Sequence, residues 1–191
     1  MNENKANKLE VERRVENWLT SVVIGLNLCP FAGREYRRKR IRFCISTAES
    51  EEDIVRDLLF EFSLLRERDR IETTLLILPS TLAEFEHFND FLGFADALIE
   101  EIGYSGEFQL ASFHPDYQFA HTIADDVENF TNRAPYPILH LLRETSLDRA
   151  VTEHPDTSRI PLENVALMNK LGSEHMIKLL EACTHPAANG G

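Results

Sequence analysis

From Val11 onward the apolar residues Val15, Trp18, Leu19, Val22, Val23 and Leu26 recur at steps of three and four, the period of a helix with one buried face. The pattern ends near Asn27, ahead of Pro30. The segment IRFCIS (41–46) switches to alternation and is rich in β-branched and aromatic side chains, which predicts a strand. Ser50 in an N-cap position, acids in the turn that follows, and Ile54, Leu58, Phe62 and Leu65 on one face predict the next helix. TTLLILP (73–79) is a continuous apolar run closed by proline, as in a strand covered on both faces. Ser80 or Thr81 is then expected to cap a long helix through Phe85, Phe88, Leu92 and Ala95, with Gly103 as its stop. FQLASF (108–113) and PILHLLR (137–143) read as the third and fourth strands. Ser146 is expected to cap a short helix, Pro161 to open another that ends by Gly172, and SEHMIKLLEAC to form the last.

This order of elements predicts an α/β fold: a single-domain, mixed, largely parallel four-stranded sheet flanked by helices, with extra C-terminal helices. A length of 191 residues suits one domain over 1–191, with 1–9 and 184–191 as frayed termini. There is no apolar leader and no run of about 18 apolar residues, so no signal peptide and no membrane span are expected, and the expected location is cytoplasmic. A formal charge of -12 argues against nonspecific nucleic-acid binding, which needs a basic surface. The stretch GREYRRKRIRF runs against that charge, with Arg34, Arg37, Arg38, Lys39, Arg40 and Arg42 close together. It either grips an anion or acidic partner, or is a solvated loop whose charges discourage edge pairing. Cys29, Cys44 and Cys183 are odd in number and widely spaced, as reduced thiols are.

Candidate chemistry concentrates in FHPDYQFAHTIADDVENFTNRAPYP (113–137). Loops of this length inside a compact domain are uncommon unless they are functional or partly helical. Thr122 with Asp125, followed by Ile123, Val127 and Phe130 at helical spacing, predicts a short helix over 123–130. Asp125 and Asp126 then either complement that helix dipole or ligate a divalent metal ion. If the third strand is parallel, His114 falls at a carboxyl edge, where open α/β sheets place their crevices. Ser46, Ser80, Arg143 and Glu144 share that edge only if their strands run the same way. His114 oriented by Asp116, with Glu144 nearby, is raw material for acid–base catalysis, whereas Asn132, Arg133, Tyr136 and Arg143 can hold a small anionic molecule. The bland alternative is a buried histidine satisfied by backbone, with Asp116 capping the turn that Pro115 starts. Pro135 and Pro137 bracket Tyr136 and stiffen the chain, with a cis bond as one way to do so.

Three sharper motifs carry less. His114, Asp116 and His140 imitate a two-histidine, one-carboxylate iron site, but the host fold for that site is β-rich. His-Pro-Asp at 114 and again at 154 resembles the loop of J-domain co-chaperones, without the two antiparallel helices such a domain needs. Cys29-Pro30-Phe31 resembles the Cys-Pro-aromatic step of thioredoxin-like sites, yet Cys29 follows a helix instead of opening one. Cys29 can still line the substrate cavity.

The blocks VIGLNLCPFA, ETTLLILP, FQLASFHPDYQFA and NFTNRAPYPILHLLRE occur in the order of a bacterial family of uncharacterised proteins, domain of unknown function 1415. The chain resembles that family from about residue 11 to 171. The resemblance implies a soluble, one-domain bacterial protein, and brings no cofactor and no catalytic residues. Three function classes therefore stand: an enzyme acting on a small anionic molecule by His/carboxylate chemistry, possible hydrolysis and metal assistance included; a noncatalytic ligand-binding or interaction module; and a thiol protein using Cys29.

Overall fold

In a computed structural model, which describes residues 2–153 and 156–184, four strands form one sheet in the order β1-β2-β4-β3. The expectations for Met1, the His154-Pro155 pair and 185–191 lie outside the described residues. Strands β1 (Ile41–Ile45), which follows the short helix α2 (Ala32–Arg37), and β2 (Thr73–Ile77) are parallel and joined through helix α3 (Glu51–Glu67). Helix α4 (Phe85–Glu101) leads on to β3 (Phe108–Phe113). Strand β4 (Ile138–Arg143) is inserted between β2 and β3 and runs antiparallel to both. Three strands thus share one direction and the fourth opposes it. The consequence for the site is direct: Arg143 and Glu144 lie at the edge opposite the carboxyl end of β3, where His114 sits.

Alternation along the strands divides the molecule into two apolar layers. Leu76, Leu78, Leu139 and Leu141 meet α3 and α4 through Ile54, Leu58, Phe62 and Phe88, all essentially sealed from solvent. Leu75, Ile77 and Ile138 face the other way, onto helix α1 (Asn2–Trp18) and its continuation, with α6 (Ile160–Leu171) and α7 (Ser173–Thr184) outside. Both faces of β2 are therefore covered, which explains its unbroken apolar run. Each such aliphatic side chain contributes roughly 1.5–3 kcal/mol by leaving water.

Local chemistry sets the element ends. Ser50 caps α3 by accepting the Asp53 amide at 3.2 Å, as the sequence predicts, and the Asp53 carboxylate reaches back to the Glu49 amide at 3.3 Å, one residue before the cap. Helix α4 departs from expectation: it starts at Phe85 without a side-chain cap, not at Ser80 or Thr81. Leu82 in the left-handed region, φ 54°, breaks any helix attempted earlier. Gly103, at φ 74°, follows the end of α4 as expected. Helix α5 (Glu144–Glu153) begins directly after β4, one turn ahead of the cap expected at Ser146.

Residues Leu19–Ile24 continue α1 as a π-helix, a rare form that recurs beside functional sites. Gly25 closes it, and a Cβ there would overlap the Ser21 carbonyl oxygen. Gly25→Ala is expected to cost about 1–2 kcal/mol through overpacking of this turn. Urea unfolding measures it; an unchanged midpoint would mean that the turn relaxes freely.

The 114–136 segment holds no α-helix at 123–130. It turns at Thr122, where the hydroxyl donates to the Phe119 carbonyl at 2.8 Å, and at Asp126, whose carboxylate accepts the Ile123 amide at 2.9 Å. One 3-10 turn, Val127–Thr131, follows. Every described peptide bond is trans, the Pro135 and Pro137 bonds included.

Candidate functional site

Most polar groups of the 113–137 segment are used to hold the segment itself. Asn129 is fully buried: its Oδ1 accepts from the Phe119 amide (3.0 Å) and shares the Thr122 hydroxyl proton (2.9 Å) with the Phe119 carbonyl, and its Nδ2 donates to the Ile123 carbonyl (2.8 Å). Asn132 donates to the Ser112 carbonyl at 3.0 Å. Arg133 reaches the carbonyls of Tyr117 (3.3 Å) and Ala124 (2.6 Å) while lying over the Phe130 ring. The Tyr136 hydroxyl accepts from Arg14 at 3.1 Å. Polar groups shielded from water need partners within the fold, and these contacts supply them.

His114 follows the bland alternative. It is fully buried between the rings of Phe85 and Phe88; Nδ1 accepts the Asp116 backbone amide at 3.0 Å and Nε2 donates to the Leu82 carbonyl at 3.1 Å. Burial lowers its pKa, the Leu82 hydrogen bond opposing. Both ring nitrogens are committed to backbone, so Asp116 orients the ring through its N–H and not its exposed carboxylate. Glu144 is at the far edge of the sheet and takes no part. Arg143 caps the end of α3, donating to the carbonyls of Leu65, Arg68 and Ile71. Asp125 is exposed, and the described residues contain no cluster of three or more His, Cys, Asp or Glu placed to hold a metal ion. His114 packs on the α4 side of the sheet, whereas His140, paired with Leu75 and Ala111, faces α1, so one iron cannot take both.

The basic stretch is half internal. Arg42 grips Glu61, on the buried face of α3, through bonds of 2.7 and 2.9 Å; Arg34 pairs with Glu35 at 2.7 Å; and Arg40 contacts Glu35 and Glu72. Arg37, Arg38 and Lys39 remain exposed. Cys44, beside this ion pair, is pushed up to about 12 by burial and is an inert thiol.

What the sequence did not announce is a cavity of about 280 Å³ between the α1 face of the sheet and the helices above it. Trp18, Leu19 and Val23 supply one wall; Leu75, Ala111, Phe113 and Leu142 supply the sheet floor; Cys29 and α5 complete it. In the floor lies His140, its Nε2 2.7 Å from the Thr73 hydroxyl. Burial alone brings its pKa down to about 4, so the ring is neutral near neutral pH. Glu35, Glu72, Arg143 and Ser146 mark the polar end, Ser146 bonding to Glu72. An adjoining cavity of about 510 Å³ shares Val23, Cys29, Ala111 and Phe113 with the first and is lined by Asn132 from the polar loop. Of the candidate residues, the structure therefore brings Cys29 and Arg143 to one cavity and Cys29 and Asn132 to its neighbour; His114 packs against Leu82, Phe85 and Phe88 under α4. The signal that marks the first cavity in sequence is a lone histidine inside an apolar strand, PILHLLR.

The profile of the DUF1415 family, described as proteins of unknown function, matches residues 10–178. The chain belongs to the DUF1415 family. No curated protein and no solved structure matches it. For this DUF1415 chain, function is therefore read from the site. No helix among the described residues is long and apolar enough to cross a membrane.

Proposed function

We propose that the chain binds a small, mainly apolar molecule in the cavity beneath Trp18. The observation that carries this is an apolar-lined cavity of about 280 Å³ between Trp18 and the sheet, with His140 in its floor. Interiors are close-packed, and roughly 150 Å³ already accommodates a benzene ring. An apolar enclosure with a few convergent polar groups is the usual form of a small-molecule site. A small anion fits it less well, because Arg133 and Arg143 are engaged with backbone carbonyls and a buried ion needs a partner.

The test is a toluene titration followed by amide NMR. Expected are saturable shifts at Leu75, Ala111 and Leu142, lost in Ala111→Leu, which fills the space. Shifts elsewhere, or none, would remove the reading.

A catalytic use of the same place is the second reading, favoured by His140 and the buried carboxylates of Glu35 and Glu72 around one cavity. It moves the acid–base role from His114, Asp116 and Glu144 to His140 and Glu72. Turnover that survives His114→Asn but not Glu72→Gln supports it; the reverse pattern rejects it.

A further inference from the structure

We infer that the ligand donates a hydrogen bond to Nδ1 of His140, and so is an apolar molecule carrying one phenol-like O–H or an N–H. This rests on the cavity being a ligand site.

Proton accounting at Thr73 leads there. Its Oγ1 lies 2.6 Å from the Leu141 carbonyl and 2.7 Å from His140 Nε2. A carbonyl oxygen only accepts, so the single hydroxyl proton points at Leu141. The Thr73 oxygen must then accept on its other side, and Nε2 carries the ring proton. Nδ1 is left as a lone pair, and no described residue bonds to it. The only buried side-chain polar atoms without a partner among the described residues are the Thr74 and Thr81 hydroxyls. Nδ1 is therefore not among the sealed orphan atoms, and its ring lines the cavity.

The rest of the lining agrees. The indole N–H of Trp18 is already given to the Arg133 carbonyl at 2.9 Å. Glu35 and Glu72 are acceptors as well, held by Arg34, Arg40 and Ser146. The lining donors Arg34, Arg143 and Ser146 bond to Glu35, to the Ile71 carbonyl and to Glu72, whereas Nδ1 of His140 has no partner among the described residues, and a ligand hydroxyl or N–H satisfies it.

Phenol and toluene separate this inference from the reading beneath it, since they match in shape. A wholly apolar cavity rejects phenol, whose hydroxyl would lose water without replacement. Expected is phenol binding to the wild-type protein at least as tightly as toluene, with ring-nitrogen NMR showing Nδ1 unprotonated in the free protein. His140→Leu should invert the preference, favouring toluene by roughly tenfold. If the variant does not fold, the wild-type comparison and the tautomer decide alone. Toluene binding about tenfold tighter than phenol to the wild-type protein, or a proton on Nδ1, overturns the inference while leaving the cavity reading intact. Binding of neither compound overturns both.

Discussion

His114→Ala is expected to lower folding stability by about 3–5 kcal/mol. The ring is completely buried between Phe85 and Phe88, so truncation leaves a void on the α4 side of the sheet. It also leaves two backbone groups unpaired, the Leu82 carbonyl and the Asp116 amide. Leu82 is already held in the left-handed region, and that carbonyl contact is what ties its turn to the end of β3. The structural role and a catalytic one make opposite forecasts. A catalytic His114 replaced by alanine leaves the urea midpoint near the wild-type value and removes activity. A latch replaced by alanine shifts the midpoint far down, and toluene or phenol binding persists under conditions where the variant is still folded. An unshifted midpoint would return His114 to the list of reacting groups.

The same residue shows what was and was not legible in sequence. All four strands stand close to where period and β-branching put them, because those signals are local. The direction of β4 was not legible, since it depends on how a 24-residue connection, 114–137, returns to the sheet. That direction decided the site: it sent Arg143 and Glu144 to one edge and left His114 at the other. Polar residues crowded in one loop look alike whether they await a ligand or close their own backbone. Asn129, Asn132 and Arg133 do the second, and only three-dimensional contacts distinguish the cases. The cavity was hidden for a related reason. It needs Thr73 of β2 and His140 of β4 side by side, and that adjacency follows from β4 being inserted next to β2.

Acid is expected to destabilise this protein through His140. Its pKa falls from an ordinary 6.5 to about 4 in the folded state, purely by burial. A lowered histidine pKa means that the unfolded chain binds the proton first. The stability it contributes is thus complete above about pH 6.5 and lost as pH falls toward 4, the loss reaching about 3 kcal/mol. His114, lowered by burial, adds a loss of the same sign below pH 6.5. The check is urea unfolding across that range for the wild-type protein and for His140→Gln, whose amide can still donate to Thr73 but cannot titrate. The variant's stability should decline less steeply, the two curves separating by about 3 kcal/mol at the acid end. Parallel curves would show that His140 is protonated without penalty. A ligand that donates to Nδ1 competes with the same proton, so phenol should raise wild-type stability near neutrality and lose that effect as the ring becomes charged. Toluene, which makes no claim on Nδ1, should stabilise with little dependence on pH, which places the acid response at one atom of one side chain.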